Sequence, residues 1–342
     1  MPQRRLKELS RLLPDSFTLA ILGVVLLSLV LPCRGESAGW VANGSEIAIA
    51  LLFFLQGARL SRATVVAGML HWQLHLIILA ATFVIFPLLG LALSPLSGTL
   101  LVPSLYIGLI FLCTLPSAVQ ASVIFTSIAG GNVAAALCSA SLSSILGMVL
   151  TPLLIGLLLH AHGGVSLNGL GSIMLHLLVP FLAGQLVQSW IAAWMQRHER
   201  AVRMVDRGSV LLMVYGAFSA ATLSGMWSRI PLSSLVVLAV VDAALLVTML
   251  AGTAFAARRF GLSREDEIAI VFCGSKKSLV TGIPMANALF AGASLGLTVL
   301  PLMIFHQMQL MACATLARRY ARVQPLDESA GLRQRSARAV SP

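Results

Sequence analysis

Long apolar runs alternate with short polar links along this chain. Crossing a hydrocarbon core as a helix takes about 20 apolar residues. Ten runs come near that length or pass it: Phe17–Pro32, Ser45–Leu60, His71–Leu93, Leu101–Ala129, Val133–His160, Ile173–Trp194, Val210–Met226, Leu232–Ala257, Ile268–Phe290 and Leu295–Ala317. The pattern predicts an all-α membrane protein of ten transmembrane spans.

Composition removes the competing classes. Hydrophobic residues make up 58% of the 342 positions and charged ones 10%, against about a quarter charged in a soluble domain. The mean hydropathy is +0.93. A soluble enzyme is excluded. The net charge of +11 would suit a nucleic-acid binder, but most Lys and Arg residues lie in links between or outside the spans, where they set topology. Basic residues alternate from link to link, with Arg59 and Arg62, then Arg197–Arg207, then Arg258–Arg264 and the C-terminal tail on one side. Both termini are therefore expected in the cytoplasm. Only the short turn Gly130–Asn132 lacks the basic residue this rule assigns to it. The first run follows Arg4, Arg5, Lys7 and Arg11 without an A-x-A-like cleavage site, and reads as an uncleaved helix. The polar tail 322–342 reads as a disordered cytoplasmic end.

Five spans carry the chain across the membrane, so a second set of five starts from the opposite side. The division falls near Ala161–Asn168, predicting inverted repeats at 1–165 and 166–321. The fourth span of each half is interrupted. In one, Pro116 and Ser117 stand among Thr114, Gln120 and Ser122; in the other, Gly274-Ser275-Lys276-Lys277-Ser278 breaks the apolar run. Paired interruptions point to a transport site, because half-helix ends present unsatisfied dipoles to an ion or substrate.

The lysines sharpen this. Each costs roughly 2.5–3.5 kcal/mol at a span centre, so Lys276 and Lys277 predict a polar cavity. Asp242, the acidic residue inside the eighth span, is the expected partner of one of them. His306 is expected to line the bundle interior, whereas His71 and His75 read as interfacial polar residues. Gln56, Thr82, Thr126, Ser139, Ser141, Ser143 and Ser144 are neutral polar residues of the kind that bond their own helix or a neighbour. Cys33, Cys113, Cys138, Cys273 and Cys313 have no paired spacing, predicting neither disulfides nor a zinc site. No G-x-S-x-G, H-E-x-x-H or P-loop occurs, so an enzyme is not expected.

The run Thr114–Ser122, Gly131-Asn132, Thr151-Pro152, Phe272–Leu279 with Gly282-Ile-Pro284, and Ile304-Phe-His306 together resemble the bile acid:sodium symporter superfamily, within it the bacterial SBF-like branch related to vertebrate solute carrier family 10 member 7. The resemblance covers nearly the whole chain. It implies a panel domain from spans 1, 2, 6 and 7, and a core domain from spans 3, 4, 5, 8, 9 and 10 with spans 4 and 9 crossing. It also implies substrate entry between the two domains and a location in a bacterial inner membrane.

Sodium coupling carries over less well. The positions matching the family's sodium ligands hold Thr82, Ser122, Val123, Ala136, Ala140, Cys273 and Lys277, among which Ser122 alone keeps a side-chain oxygen on spans 4 and 5. A thiol and an ammonium are poor sodium ligands. The Lys277 ammonium is expected to stand in for a missing sodium; otherwise Na⁺ would need oxygens from Gln120, Ser275 or Ser278. The reading is a secondary active transporter of a small organic anion, a bile acid-like or other organic acid, coupled to Na⁺ or H⁺. It needs no cofactor beyond Na⁺ as a coupling ion and has the lipid bilayer, not nucleic acid, as its other partner. A monomer is compatible with this reading. The alternative is a membrane regulator of ion flux or envelope assembly that carries no solute. The binding residues expected are Thr82, Pro116, Ser117, Gln120, Ser122, Asn132, Cys273, Ser275, Lys276, Lys277, Ser278 and His306.

Overall fold

The computed structural model of the protein describes residues 16–59, 71–160, 170–290 and 294–322. These form helices α1 (Ser16–Val30), α2 (Glu36–Arg59), α3 (Trp72–Ala80), α4 (Phe86–Ala92), α5 (Pro103–Thr114), α6 (Val119–Ile128) and α7 (Val133–His160). After them come α8 (Leu170–Arg197), α9 (Glu199–Leu223), α10 (Leu232–Arg259), α11 (Arg264–Gly274), α12 (Leu279–Leu289) and α13 (Leu295–Arg322). A π-helical turn, Ala81–Ile85, joins α3 to α4. The expected repeat boundary near Ala161–Asn168 and the tail beyond Arg322 lie outside the described residues.

Seven helical stretches among the described residues are long and apolar enough to cross a membrane, and the bent pair α5 and α6 makes up to eight. The ten expected spans thus exceed what length and hydropathy alone support. The first span shortens to the 15 residues of α1. The seventh belongs to α9, whose first turns carry Glu199, Arg200, Arg203, Asp206 and Arg207 and dilute its apolar part. The basic link expected at Arg197–Arg207 is itself helical apart from the turn at His198. There Arg59 of α2 forms an ion pair with the buried Asp206 of α9.

Both expected interruptions are present. α5 and α6 meet at a bend of 61°, because Pro116 has no N–H to continue the helix and forces Leu115 into extended backbone, φ −67°, ψ 151°. The chain from α11 through α12 is enclosed almost completely, whereas α8 is mostly exposed and shows Leu186, Trp190 and Trp194 on its surface. Such apolar faces are what a lipid-embedded helix presents.

Close helix crossings rest on glycine. A Cβ on Gly57 of α2 would run into the Phe181 carbonyl of α8, and one on Gly184 of α8 into the Phe54 carbonyl of α2. Small residues let backbones approach in this way where no hydrophobic effect drives helices together. Behind the first break, Gly147 of α7 leaves room for the Pro116 ring, 2.7 Å from where its Cβ would stand.

Candidate functional site

The broken helices cross, and each completes the other's backbone bonding. Around the first break every orphaned carbonyl from Leu112 to Pro116 has a donor. Leu112 O accepts from Leu115 N at 3.3 Å and Pro116 O from Ser278 N at 3.0 Å. Thr114 O accepts from Thr151 Oγ1 at 2.8 Å. Cys113 O and Leu115 O both accept from Lys277 Nζ, at 2.9 and 2.7 Å. From the other side, Ser117 Oγ donates to Cys273 O at 2.6 Å and Ser122 Oγ to Phe272 O at 2.8 Å. Buried backbone groups demand partners, and here side chains supply them.

The third carbonyl on Lys277 comes from the π turn. Phe86 N–H bonds back to Ala81 O, so it no longer serves Thr82 O. The next donor in π register would be residue 87, which is Pro87 and has no N–H. Thr82 O is left open inside the helix and accepts from Lys277 Nζ at 3.0 Å. The ammonium thus carries three main-chain carbonyls and lies 4.1 Å above the Phe86 ring. Its own backbone is clamped by Gln309 of α13, which accepts from Lys277 N and donates to Lys277 O, both at 2.9 Å.

Lys276 is treated differently. Its Nζ donates to Ala121 O at 3.0 Å and sits over the Phe125 and Phe272 rings at 4.0 and 4.9 Å. Both lysines are 0% exposed. Where a polar cavity was expected, the lysines are enclosed by carbonyls and ring faces.

The expected Asp242–lysine pair does not form. Both ammoniums are engaged by carbonyls, and neither carboxylate oxygen of the fully buried Asp242 has a hydrogen-bond partner. The structure brings Thr82, Pro116, Ser117, Ser122, Cys273, Lys276, Lys277 and Ser278 to the crossing, while other candidates depart from expectation. Gln120 is exposed and makes none of these contacts. Asn132 is an end cap: its Oδ1 accepts from Ala135 N at 3.0 Å, and its Nδ2 donates to Asp266 Oδ1 at 2.8 Å, tying the start of α7 to α11. Ser275 Oγ donates to Val271 O at 2.6 Å, and Ser278 Oγ accepts from Thr281 N, capping α12. Cys273 Sγ lies 3.5 Å from Ala136 O. His306, half-buried, bonds Gln309 at 2.9 Å and supports the clamp on Lys277 from behind. His75 is buried against the protein and bonds Ser139 at 2.6 Å, while His71 is exposed.

Gln309 was the residue missed. It lies one turn beyond His306 in an apolar span, and that i, i+3 spacing was the signal for it. Among the described residues no three His, Cys, Asp or Glu side chains gather as a metal site.

A separate cavity of about 330 Å³ opens between α2, α9 and the end of α12, lined by Ser45, Glu46, Ile49, Ala217, Asn287 and Phe290 among others. Neither lysine lines it, so the lysines do not directly argue for an anionic substrate there.

Known proteins match this chain over nearly its whole length. A protein of Pseudomonas aeruginosa named "Uncharacterized protein PA2026" is 56% identical over 317 residues, covering 91% of this chain and 94% of its own. The "Putative symporter YfeH" of Escherichia coli is 50% identical over 309 residues, 90% and 93% of the two chains. The rat "Sodium/bile acid cotransporter 7" is 33% identical over 276 residues, 80% and 81%. The family model of the SBF-like CPA transporters matches residues 15–322. With its apolar helices crossing at two facing breaks, this multi-pass membrane chain belongs to the SBF-like CPA transporter family.

Proposed function

We propose that the protein is a secondary active transporter of an amphipathic organic acid, working by alternating access, in which the Lys277 ammonium is a built-in cation at the crossing. The observation that carries this reading is the set of three carbonyls, Thr82, Cys113 and Leu115, around one Nζ at 2.7–3.0 Å. Inward-turned carbonyls are the ligands with which proteins replace an ion's hydration shell. A tethered ammonium in that place supplies the charge without a dissociable metal, and so favours protons over Na⁺ as the coupling ion.

The finer architecture belongs to the same reading. Ten spans in two inverted repeats, with α1 and α9 counted as spans, put the two broken helices in equivalent places. A panel formed by spans 1, 2, 6 and 7 would then face the core across the cavity beside Glu46 and Asn287, with both termini in the cytoplasm of a bacterial inner membrane. The organic-acid class follows from the relatives' names. The cavity's own lining adds an apolar wall for the body of such a solute.

The test is a thermal-shift screen of purified protein with bile acids, steroid sulfates and smaller organic acids, with and without Na⁺, followed by uptake of the best ligand into proteoliposomes. Stabilisation indifferent to Na⁺, and uptake that follows an imposed pH gradient, are expected. Strict Na⁺ dependence would overturn the tethered-cation reading. If no acid stabilises the protein and none is taken up, the non-transporting regulator replaces the transporter.

A further inference from the structure

A second hollow, of about 650 Å³, runs between α10 and α13. Val247, Leu250 and Ala254 form one wall, and Met311, Ala312 and Leu316 the other. Val247 and Met311 are 64% and 57% exposed, so the hollow opens on an apolar outer surface, which in this membrane chain faces lipid. It exists because α10 offers alanines there and α13 answers with Ala312 and Thr315. The Thr315 hydroxyl is turned back onto Met311 O at 3.0 Å. Such walls suit a hydrocarbon chain.

One end of the groove is charged. Arg258, Arg319 and Tyr320 line it there, and none of the described residues lining it is acidic. Glu267 accepts from Nε and Nη2 of Arg258 at 3.0 and 2.8 Å, yet that arginine's side chain stays 68% exposed. Tyr320 gives its hydroxyl proton to the same carboxylate. Arg319 is exposed and has no hydrogen bond or ion pair among the described residues. It is the unanswered charge, and a guanidinium can give two N–H groups at once to a phosphate. The length also fits. From Val247 to Arg258 the axis of α10 rises about 16 Å at 1.5 Å per residue, and one leaflet holds about 15 Å of hydrocarbon. The groove therefore reaches from the middle of the bilayer to the level of the headgroups.

We propose that this groove binds one anionic phospholipid: an acyl chain lies between α10 and α13, and the phosphate sits on Arg319 with the exposed part of Arg258 beside it. Basic pockets between membrane helices recognise anionic headgroups in this way. A zwitterionic phospholipid brings the same chain and phosphate, but its own ammonium cancels the charge that Arg319 lacks a partner for. Free phosphate brings the charge without the chain. A lipid held here joins α10 to α13 next to the Arg258–Glu267 pair, and by binding the folded state it stabilises it. The site depends neither on the identity of the solute nor on the coupling ion.

Native mass spectrometry of the purified full-length protein in a neutral detergent tests this, with phosphatidylglycerol titrated against phosphatidylcholine of the same chains. The first phosphatidylglycerol should bind the wild type at least roughly fivefold more tightly than phosphatidylcholine, and Arg319→Gln should lose roughly that factor, the share of one basic residue at a charged headgroup. Arg259→Gln removes the same charge from an exposed neighbour that does not line the groove, and should leave the affinity unchanged. Ala251→Phe, which fills the groove from an exposed position, should abolish the tight site with both arginines in place. Equal affinity for the two lipids overturns the proposal, and that comparison needs no variant to fold. Equal losses in Arg319→Gln and Arg259→Gln overturn it too, since surface charge alone would then explain the preference. Inorganic phosphate that raises the melting temperature as much as phosphatidylglycerol does would make this an anion site without a lipid, and a lipid-free dimer broken by Ala251→Phe would make it a contact between copies.

Discussion

At the scale of single residues, two adjacent lysines with the same burial differ in what they hold. Removing Lys277 leaves the carbonyls of Thr82, Cys113 and Leu115 without a donor, at about 1–3 kcal/mol each. Relief from a buried charge returns only about 2.5–3.5 kcal/mol, so the carbonyls win and Lys277→Met should lower the melting temperature clearly. Lys276 gives one carbonyl its bond and rests on two rings. There the two terms nearly cancel, and Lys276→Met should leave the melting temperature almost unchanged. Equal effects of the two substitutions in one unfolding assay would contradict this account. Gln309→Leu removes both bonds to the Lys277 backbone and should cost about 1–3 kcal/mol for each group left unpaired, read in the same assay. Of these residues the lysines were conspicuous in the sequence because charge is rare in apolar runs. Gln309 was not, since an amide in a span usually bonds its own surroundings.

At the scale of elements, the site depends on places where helices fail. Pro116 breaks one, Gly274–Ser278 the other, and Pro87 opens the π turn that frees Thr82 O. Pro87→Ala restores an N–H that competes for that turn's carbonyls, loosening the hold on Lys277. The check is a double-mutant cycle: Pro87→Ala should destabilise the wild type more than it destabilises Lys277→Met, and strictly additive effects would show that the turn and the lysine are independent. The crossing of α2 and α8 gives a second test. Gly57→Ala forces a methyl onto the Phe181 carbonyl, a rigid obstacle, and should cost at least the roughly 1–3 kcal/mol of an overpacked core. Gly252→Ala on α10, with nothing near its Cβ, should be tolerated in the same measurement. The two main breaks were legible because Pro116 and two charges interrupt hydropathy. The π turn was hidden, because Pro87 near a helix start suits an ordinary helix equally well.

At the scale of the whole molecule, the facing breaks are joined by bonds between residues more than a hundred positions apart, such as Ser117 to Cys273 and Ser122 to Phe272. Transport would require this seam to part or move as one body. At the end where α10, α11 and α13 meet, Glu267 takes two bonds from Arg258 and one from Tyr320. A fluorescent reporter that matures only in the cytoplasm, fused after Pro342, should be bright if that end faces inward, and dark if the orientation read from the basic links is reversed.

Hydropathy, the placement of basic links and the helix breakers are local properties, and they were enough to specify a bundle of membrane helices with two interrupted members and a buried cationic centre. What those cations touch is not local. The sequence suggested that Asp242 would meet a lysine, because opposite charges in lipid seek each other. The structure instead gives both ammoniums to carbonyls: Lys277 reaches C=O groups that the first break and the π turn leave open, and Lys276 reaches a carbonyl of α6. That choice depends on how distant helices cross, and it leaves Asp242 without a hydrogen-bond partner and Lys277 on three main-chain carbonyls.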